Sequence, residues 1–153
     1  SKYFLELAFA IVGKMRGWPA KAASLGSGMT GLISGSSIAN TVTTGTFTIP
    51  IMKKTGFSKE RTGAIEVSSS VYGQLMPPVM GAAAFVMASF LGVTYFEVVK
   101  HAFLPAIISY VALFYISHLE ALKLNLKGMD DVDIPNLKKT FLSGLHFLIP
   151  ILV

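Results

Sequence analysis

Ser34-Gly35-Ser36-Ser37-Ile38-Ala39-Asn40-Thr41 decides how this chain is read. Together with the preceding Gly31-Leu32-Ile33, it lies in apolar sequence yet holds small and hydroxylated residues where a membrane helix would carry leucines. A continuous helix accepts Gly31 but not easily the cluster Ser34-Gly35-Ser36-Ser37, because serine and glycine both let the backbone leave helical geometry. The expectation is a break at membrane depth. One half-helix ends near Ile33, a polar turn follows, and a second half-helix starts around Ser37. Backbone that is not helical at that depth must be buried in protein or line a cavity.

The rest of the chain supports the membrane premise. Apolar residues make up 52% and charged residues only 14%, a balance outside the habits of a soluble domain of this length. The formal net charge is +5, but the basic residues sit between apolar segments and aromatics are not interleaved with them. A nucleic-acid surface is therefore not expected. With no cysteine there is no disulfide framework, thiolate metal site or cysteine nucleophile. The first apolar run, Tyr3 to Val12, is shorter than the roughly 20 residues a span needs. Glu6 interrupts it and no small-residue cleavage site follows, unlike a signal peptide. The last run, Phe141 to Val153, stops while still apolar. The chain reads as an internal piece of a larger membrane protein.

Charge sets the topology. Lys14, Arg16 and Lys21 precede the polar break; Lys53, Lys54, Lys59 and Arg61 follow Pro50. If short basic loops stay in the cytoplasm, both ends of the 18–50 stretch lie on one side, as in a re-entrant hairpin. Trp18 and Pro19 read as an interfacial anchor and a helix start. Gly31-x-x-x-Gly35 has the spacing of a close helix contact. Farther on, Gln74-Leu75-Met76-Pro77-Pro78 should stop a helix near Tyr72-Gly73, because prolines lack the donor and bias the preceding residue away from helix. Pro78 then suits the first turn of a new helix, Val79 to Leu91.

The expected fold is an all-α membrane protein, a fragment of a single transmembrane transport domain. Residues 1–17 end a membrane helix, 18–50 form the hairpin, and 59–92 form a discontinuous helix. Residues 94–122 form a membrane helix with a kink at Pro105, 123–139 a cytoplasmic connector, and 140–153 start a further helix. Glu97, Lys100 and His101 share one solvated face of the 94–122 helix.

A break exposes two kinds of helix end. Carbonyls near Ile33-Ser34 and Tyr72-Gly73 suit a cation, and free N–H groups near Ser37-Ile38 and Val79-Met80 suit an anion. Discontinuous helices of secondary transporters divide their ligands this way. Hydroxyls of Ser34, Ser36, Ser37, Thr41 and Ser70, with the Asn40 amide, offer hard oxygen ligands of the kind sodium takes. No acidic or histidine cluster lies beside the breaks to hold calcium or a transition metal. Glu66, about one turn from Arg61, is read as facing a wet interface rather than acting directly in transport. An enzyme is not expected: no Gly-x-Ser-x-Gly surrounds a serine, and no phosphate-binding Gly-Lys-Ser/Thr loop occurs.

A long ordered series resembles one family. Ser34-Gly35-Ser36-Ser37-Ile38-Ala39-Asn40 is followed by Ile49-Pro50-Ile51-Met52 with Gly56-Phe57, then by Gly73-Gln74-Leu75-Met76-Pro77-Pro78-Val79-Met80-Gly81-Ala82-Ala83-Ala84-Phe85. Lys100 to Ala106 and His146 to Pro150 continue it. The series resembles the large membrane (permease) subunit of tripartite ATP-independent periplasmic (TRAP) transporters, of the fused-permease type that works with TAXI solute-binding proteins.

That resemblance implies sodium-coupled secondary uptake of organic acid anions, in an elevator-type fold with two inverted repeats. The implied site for sodium, the coupling ion, takes Ser34, Gly35, Ser36, Ser37, Asn40, Gly73 and Pro77. Ser37, Asn40, Thr41, Pro78, Val79 and Met80 lie next to substrate. No other cofactor is implied. The implied partners are a periplasmic solute-binding protein, a small-membrane-subunit region (fused or separate), membrane lipid and the organic acid. The implied location is the bacterial or archaeal cytoplasmic (inner) membrane, as a multi-pass protein. The competing reading is a non-transporting membrane scaffold or assembly subunit whose small residues serve only helix packing.

Overall fold

The computed structural model describes residues 2–128 and 134–144. Among the described residues there are seven α-helices and no strand: α1 (Lys2–Val12), α2 (Trp18–Ser34), α3 (Ser37–Lys54), α4 (Lys59–Leu75), α5 (Ala82–Leu91), α6 (Tyr95–Lys123) and α7 (Leu137–Ser143). The all-α class is as expected. Helix α2 is the hub, packing against α1, α3, α4 and α6, while α4 also packs on α3 and α6.

The expected break is present and short. α2 ends at Ser34, Gly35 adopts a left-handed conformation (φ 57°), and its N–H donates to the Gly31 carbonyl at 3.1 Å. Ser36 then caps α3, its side chain accepting from the Ala39 N–H at 3.3 Å, the usual role of serine before a helix. Helices α2 and α3 run antiparallel: Ser27 meets Asn40 and Thr44, while Ala20 and Ala23 share a core cluster with Met52.

Several boundaries differ from the sequence reading. α3 does not stop at Pro50 but continues to Lys54. Pro50 cannot donate to the Thr46 carbonyl, yet Pro50 and Thr46 are both exposed, so that carbonyl is not sealed away. Met52 meanwhile is buried against Phe57 and Ile65, which secures the last turn. α4 continues to Leu75 rather than stopping at Tyr72-Gly73, because the first i→i−4 bond lost to Pro77 is the one to Gly73. Met76 is extended, as a residue before proline should be. α5 starts at Ala82, not Val79, so the break spans residues 76–81, with a cis Pro77–Pro78 bond and Met80 at φ 53°.

Trp18 begins α2 with Pro19 beside it, and its ring packs against protein. It is buried edge-on to Phe9, with ring centroids 5.5 Å apart, inside the α1–α2 contact. α6 runs through Pro105 for 29 residues and is the one described helix both long and apolar enough to cross a membrane, its most apolar 18-residue stretch having a mean hydropathy of 1.7. Glu97 lies 3.8 Å from both Lys100 and His101 on an exposed face of α6, as expected. The basic ends converge too. Lys21 of α2 reaches His118 Nδ1 at 2.8 Å, and Arg61 of α4 pairs with Glu120, so the starts of α2 and α4 meet the end of α6. α7 begins at Leu137, within the stretch read as connector. Residues 129–133 of that connector, and most of the final helix with His146 to Pro150, lie outside the described residues.

Candidate functional site

Three stripes of small and polar residues face one another where α2, α3 and α4 meet. α2 contributes Ser24, Ser27 and Gly31; α3 contributes Asn40, Thr44 and Thr48; α4 contributes Thr62, Glu66, Ser69, Ser70 and Gly73. All are buried. The spacing of three or four residues puts each stripe on one helix face. Glycines let the backbones close: a methyl group on Gly31 would fall onto the Gly73 carbonyl, and one on Gly73 would lie 2.6 Å from the Asn40 amide nitrogen and from the Ser27 carbonyl.

At the upper end of this seam the α2–α3 turn docks on the break after α4. Gly35 faces the Met80 carbonyl so closely that no side chain fits between them, and its left-handed φ independently favours glycine. The Ser37 N–H donates to Gln74 Oε1 at 3.0 Å. One turn below, Asn40 Nδ2 donates to the Ser27 carbonyl at 2.8 Å. Asn40 Oδ1 is buried with no hydrogen-bond partner, an open position that native interiors rarely leave.

The structure thus brings Gly35, Ser37 and Asn40 together with Gln74, Gly73 and Met80. Other residues of the implied site are engaged locally. Ser34 is exposed, and its hydroxyl lies 3.4 Å from the Ser36 N–H. The Ser36 hydroxyl is occupied as a helix cap. The Thr41 hydroxyl donates to the Ser37 carbonyl at 2.9 Å. Pro77 is buried, while Pro78 and Val79 are exposed and their carbonyls accept from the Tyr95 hydroxyl of α6. Two N–H expectations also move. Gln74 takes the Ser37 N–H, and the N-terminus of α5 lies at Gly81-Ala82, where no side chain caps it.

Glu66 is the largest departure. It does not face a wet interface beside Arg61, which turns to Glu120 instead. Glu66 is fully buried. Its Oε1 lies 2.6 Å from Thr44 Oγ1, and its Oε2 is in hydrogen-bond contact with Thr48 Oγ1. The signal that could have found it is the Asn40-x-x-x-Thr44-x-x-x-Thr48 stripe, whose hydroxyls would have no reason to align inside an apolar core. Gln74 was also not singled out, although it lies within the break motif. Among the described residues no cluster of histidine and acidic side chains could hold a metal ion.

Comparison with known proteins gives a consistent result. The family described as "Tripartite ATP-independent periplasmic transporter, DctM component" matches residues 1–153. The chain is 26% identical over its whole length to the protein YgiK of Salmonella typhimurium, covering 35% of that protein. It is 25% identical over its whole length, and over 36% of the relative, to a Haemophilus influenzae protein whose name places it among TRAP transporter large permeases. Over 70% of the chain it is 32% identical to the protein y4mL of Sinorhizobium fredii, covering 25% of that relative. The chain therefore spans about a third of the length of the first two of these relatives.

Proposed function

The chain belongs to the DctM component family of tripartite ATP-independent periplasmic transporters, and from that premise we propose that it contributes to a sodium-coupled permease for organic acid anions. The family is one of integral-membrane transporter permeases, not of enzymes. The proposal extends to the partners: a periplasmic solute-binding protein of the TAXI type delivers the anion, and a small membrane subunit, fused or separate, completes the assembly. The protein sits in the cytoplasmic (inner) membrane as a multi-pass permease. In this reading α2 and α3 are a re-entrant hairpin entering from the cytoplasm, and α4 and α5 are the two halves of a broken helix in an elevator-type transport domain.

The observation that carries the reading is the docking of the Gly35–Ser37 turn on the Gln74–Met80 break. It places two interrupted helices side by side, the arrangement in which carbonyls receive a cation and helix N-termini an anion. The buried, unpaired Asn40 Oδ1 supplies an oxygen suited to a hard cation such as sodium, which travels here as cargo. Ser34, Gly35, Ser36, Ser37, Gly73 and Pro77 complete the proposed ion site, and Thr41, Pro78, Val79 and Met80 border the proposed anion position. The uncapped start of α5 at Gly81-Ala82 lies beside them in sequence and offers free N–H groups.

The test is uptake into proteoliposomes carrying the permease and its binding protein. Uptake should require an inward sodium gradient. Asn40→Ala should raise the sodium concentration for half-maximal uptake about tenfold, the equivalent of about 1.4 kcal/mol. Sodium dependence identical to wild type in both Asn40→Ala and Ser36→Ala would sink the ion-site assignment.

A further inference from the structure

Glu66 plays no part in the proposed ion site, yet it is fully buried and both carboxyl oxygens are engaged. Its carboxyl is sealed between α4 and α3, and among the described residues no basic group pairs with it. The charged and titratable groups on neighbouring elements point elsewhere. Lys21 of α2 is bound to the Arg16 carbonyl and His118, Arg61 of α4 to Glu120, and Lys53 and Lys54 of α3 are exposed. The Tyr110 hydroxyl of α6 donates to the Ser69 carbonyl. An ionised carboxylate buried without a cation is costly even after relaxation.

A count of protons gives an independent argument. Five oxygen–oxygen contacts surround the carboxyl: Thr44 to Glu66 Oε1, Thr48 to Glu66 Oε2, Thr44 to the Asn40 carbonyl (2.7 Å), Thr48 to the Thr44 carbonyl (3.0 Å), and Ser27 to Thr44 (3.2 Å). Each hydroxyl has one proton to give, so Ser27, Thr44 and Thr48 supply three. With Glu66 ionised, both threonine protons go to the carboxylate, and the 2.7 Å contact sets two oxygens face to face with nothing between them. With Glu66 protonated, its own O–H donates to Thr44. Thr44 is then free to donate to the Asn40 carbonyl, Ser27 donates to Thr44, and Thr48 donates to the second carboxyl oxygen. Only the 3.0 Å contact then lacks a proton.

We propose that Glu66 is a proton-binding site, holding a proton at neutral pH while α3 is closed on α4. The proton orients a hydrogen-bond chain running from α4 through Thr44 to Ser27, the residue whose carbonyl holds the Asn40 amide. Its loss adds an unpaired charge to the α3–α4 seam and loosens it. Because the folded chain keeps a proton that the unfolded chain releases, this site makes stability fall as pH rises.

The test uses the intact permease in lipid nanodiscs and does not depend on sodium or transport. Infrared spectra at neutral pH should show the carbonyl stretch of a protonated carboxylic acid, shifted in D2O and missing from Glu66→Gln. The unfolding midpoint of the wild type should fall more steeply with rising pH than that of Glu66→Gln, whose neutral amide cannot ionise. If Glu66→Gln is not recovered folded, Thr48→Val, which removes one hydrogen bond to the carboxyl, should shift the same band in frequency. A neutral-pH spectrum with no band sensitive to either substitution overturns the proposal, as does an equal pH slope in wild type and Glu66→Gln.

Discussion

The α2–α3–α4 seam and the α5–α6 pair solve opposite problems with opposite residues. The seam buries serines, threonines, Asn40 and Glu66 while leaving Ile38, Val42 and Val67 exposed. In α5 and α6 the exposed side chains are mostly large and apolar, among them Phe85, Phe90, Phe103, Leu104, Ile108 and Ile116, and few residues of either helix are buried. Polar groups inside and apolar groups outside is the arrangement of a protein whose surroundings are lipid or further apolar helices. In hydrocarbon, burial of apolar area gives no drive for helices to associate, so close backbones and internal hydrogen bonds must supply it. The seam has both, whereas α5 and α6 present the face that meets the surroundings.

Breaking the seam at its closest approach should have the largest effect. Gly31→Val would drive two methyl groups into the Gly73 carbonyl of α4. Backbone on both sides cannot yield as a flexible side chain would, so overpacking should exceed the usual ~1–3 kcal/mol. The expected outcome is loss of folded permease, measured as monodisperse protein on size exclusion. On the other side of the comparison, Ile108→Lys puts a charge near the middle of α6 on its exposed apolar face. A lysine there should cost about 2.5–3.5 kcal/mol in a membrane-insertion assay. A neutral result would mean that α6 does not lie at membrane depth.

A third substitution probes the hydroxyl stripe. Thr44→Val keeps the shape of the side chain while removing contacts to Glu66, Ser27 and the Asn40 carbonyl. Leaving a buried carboxyl oxygen short of a partner costs about 1–3 kcal/mol, read as a lower unfolding midpoint. Ser109→Ala on α6 removes only a bond to the Pro105 carbonyl and should shift the midpoint by less. Equal shifts would erase the distinction between the two regions.

Sequence made the seam's upper end legible because its residues break helical geometry locally. Ser34 to Ser37 and Pro77-Pro78 announce themselves whatever surrounds them, and a helix is interrupted at each, although the second interruption begins and ends later in the chain than the sequence reading places it. What was not legible depends on partners far away in the chain. Pro50 reads as a stop, but Met52 is held by Ala20 and Ile65, and that packing carries the helix past it. Glu66 reads as a neighbour of Arg61 because one helical turn separates them. The arginine instead finds Glu120 on α6, a residue that local periodicity has no means of placing. The same limit applies to Gln74, whose side chain matters because it meets the Ser37 N–H.

The Arg61–Glu120 pair joins the two regions, and it should give the smallest effect. Its side chains are 39% and 23% exposed, so solvent screens the attraction, and pairs of this kind contribute about 0.2–1 kcal/mol. A double-mutant cycle with Arg61→Ala and Glu120→Ala should return a coupling energy in that range. The coupling should shrink further as salt rises and the Debye length falls below ~8 Å. A larger, salt-insensitive value would mean that this end of α6 is sealed from water in the assembled permease. The boundary between the seam and the α5–α6 pair would then lie farther along α6 than the exposure of Arg61 places it.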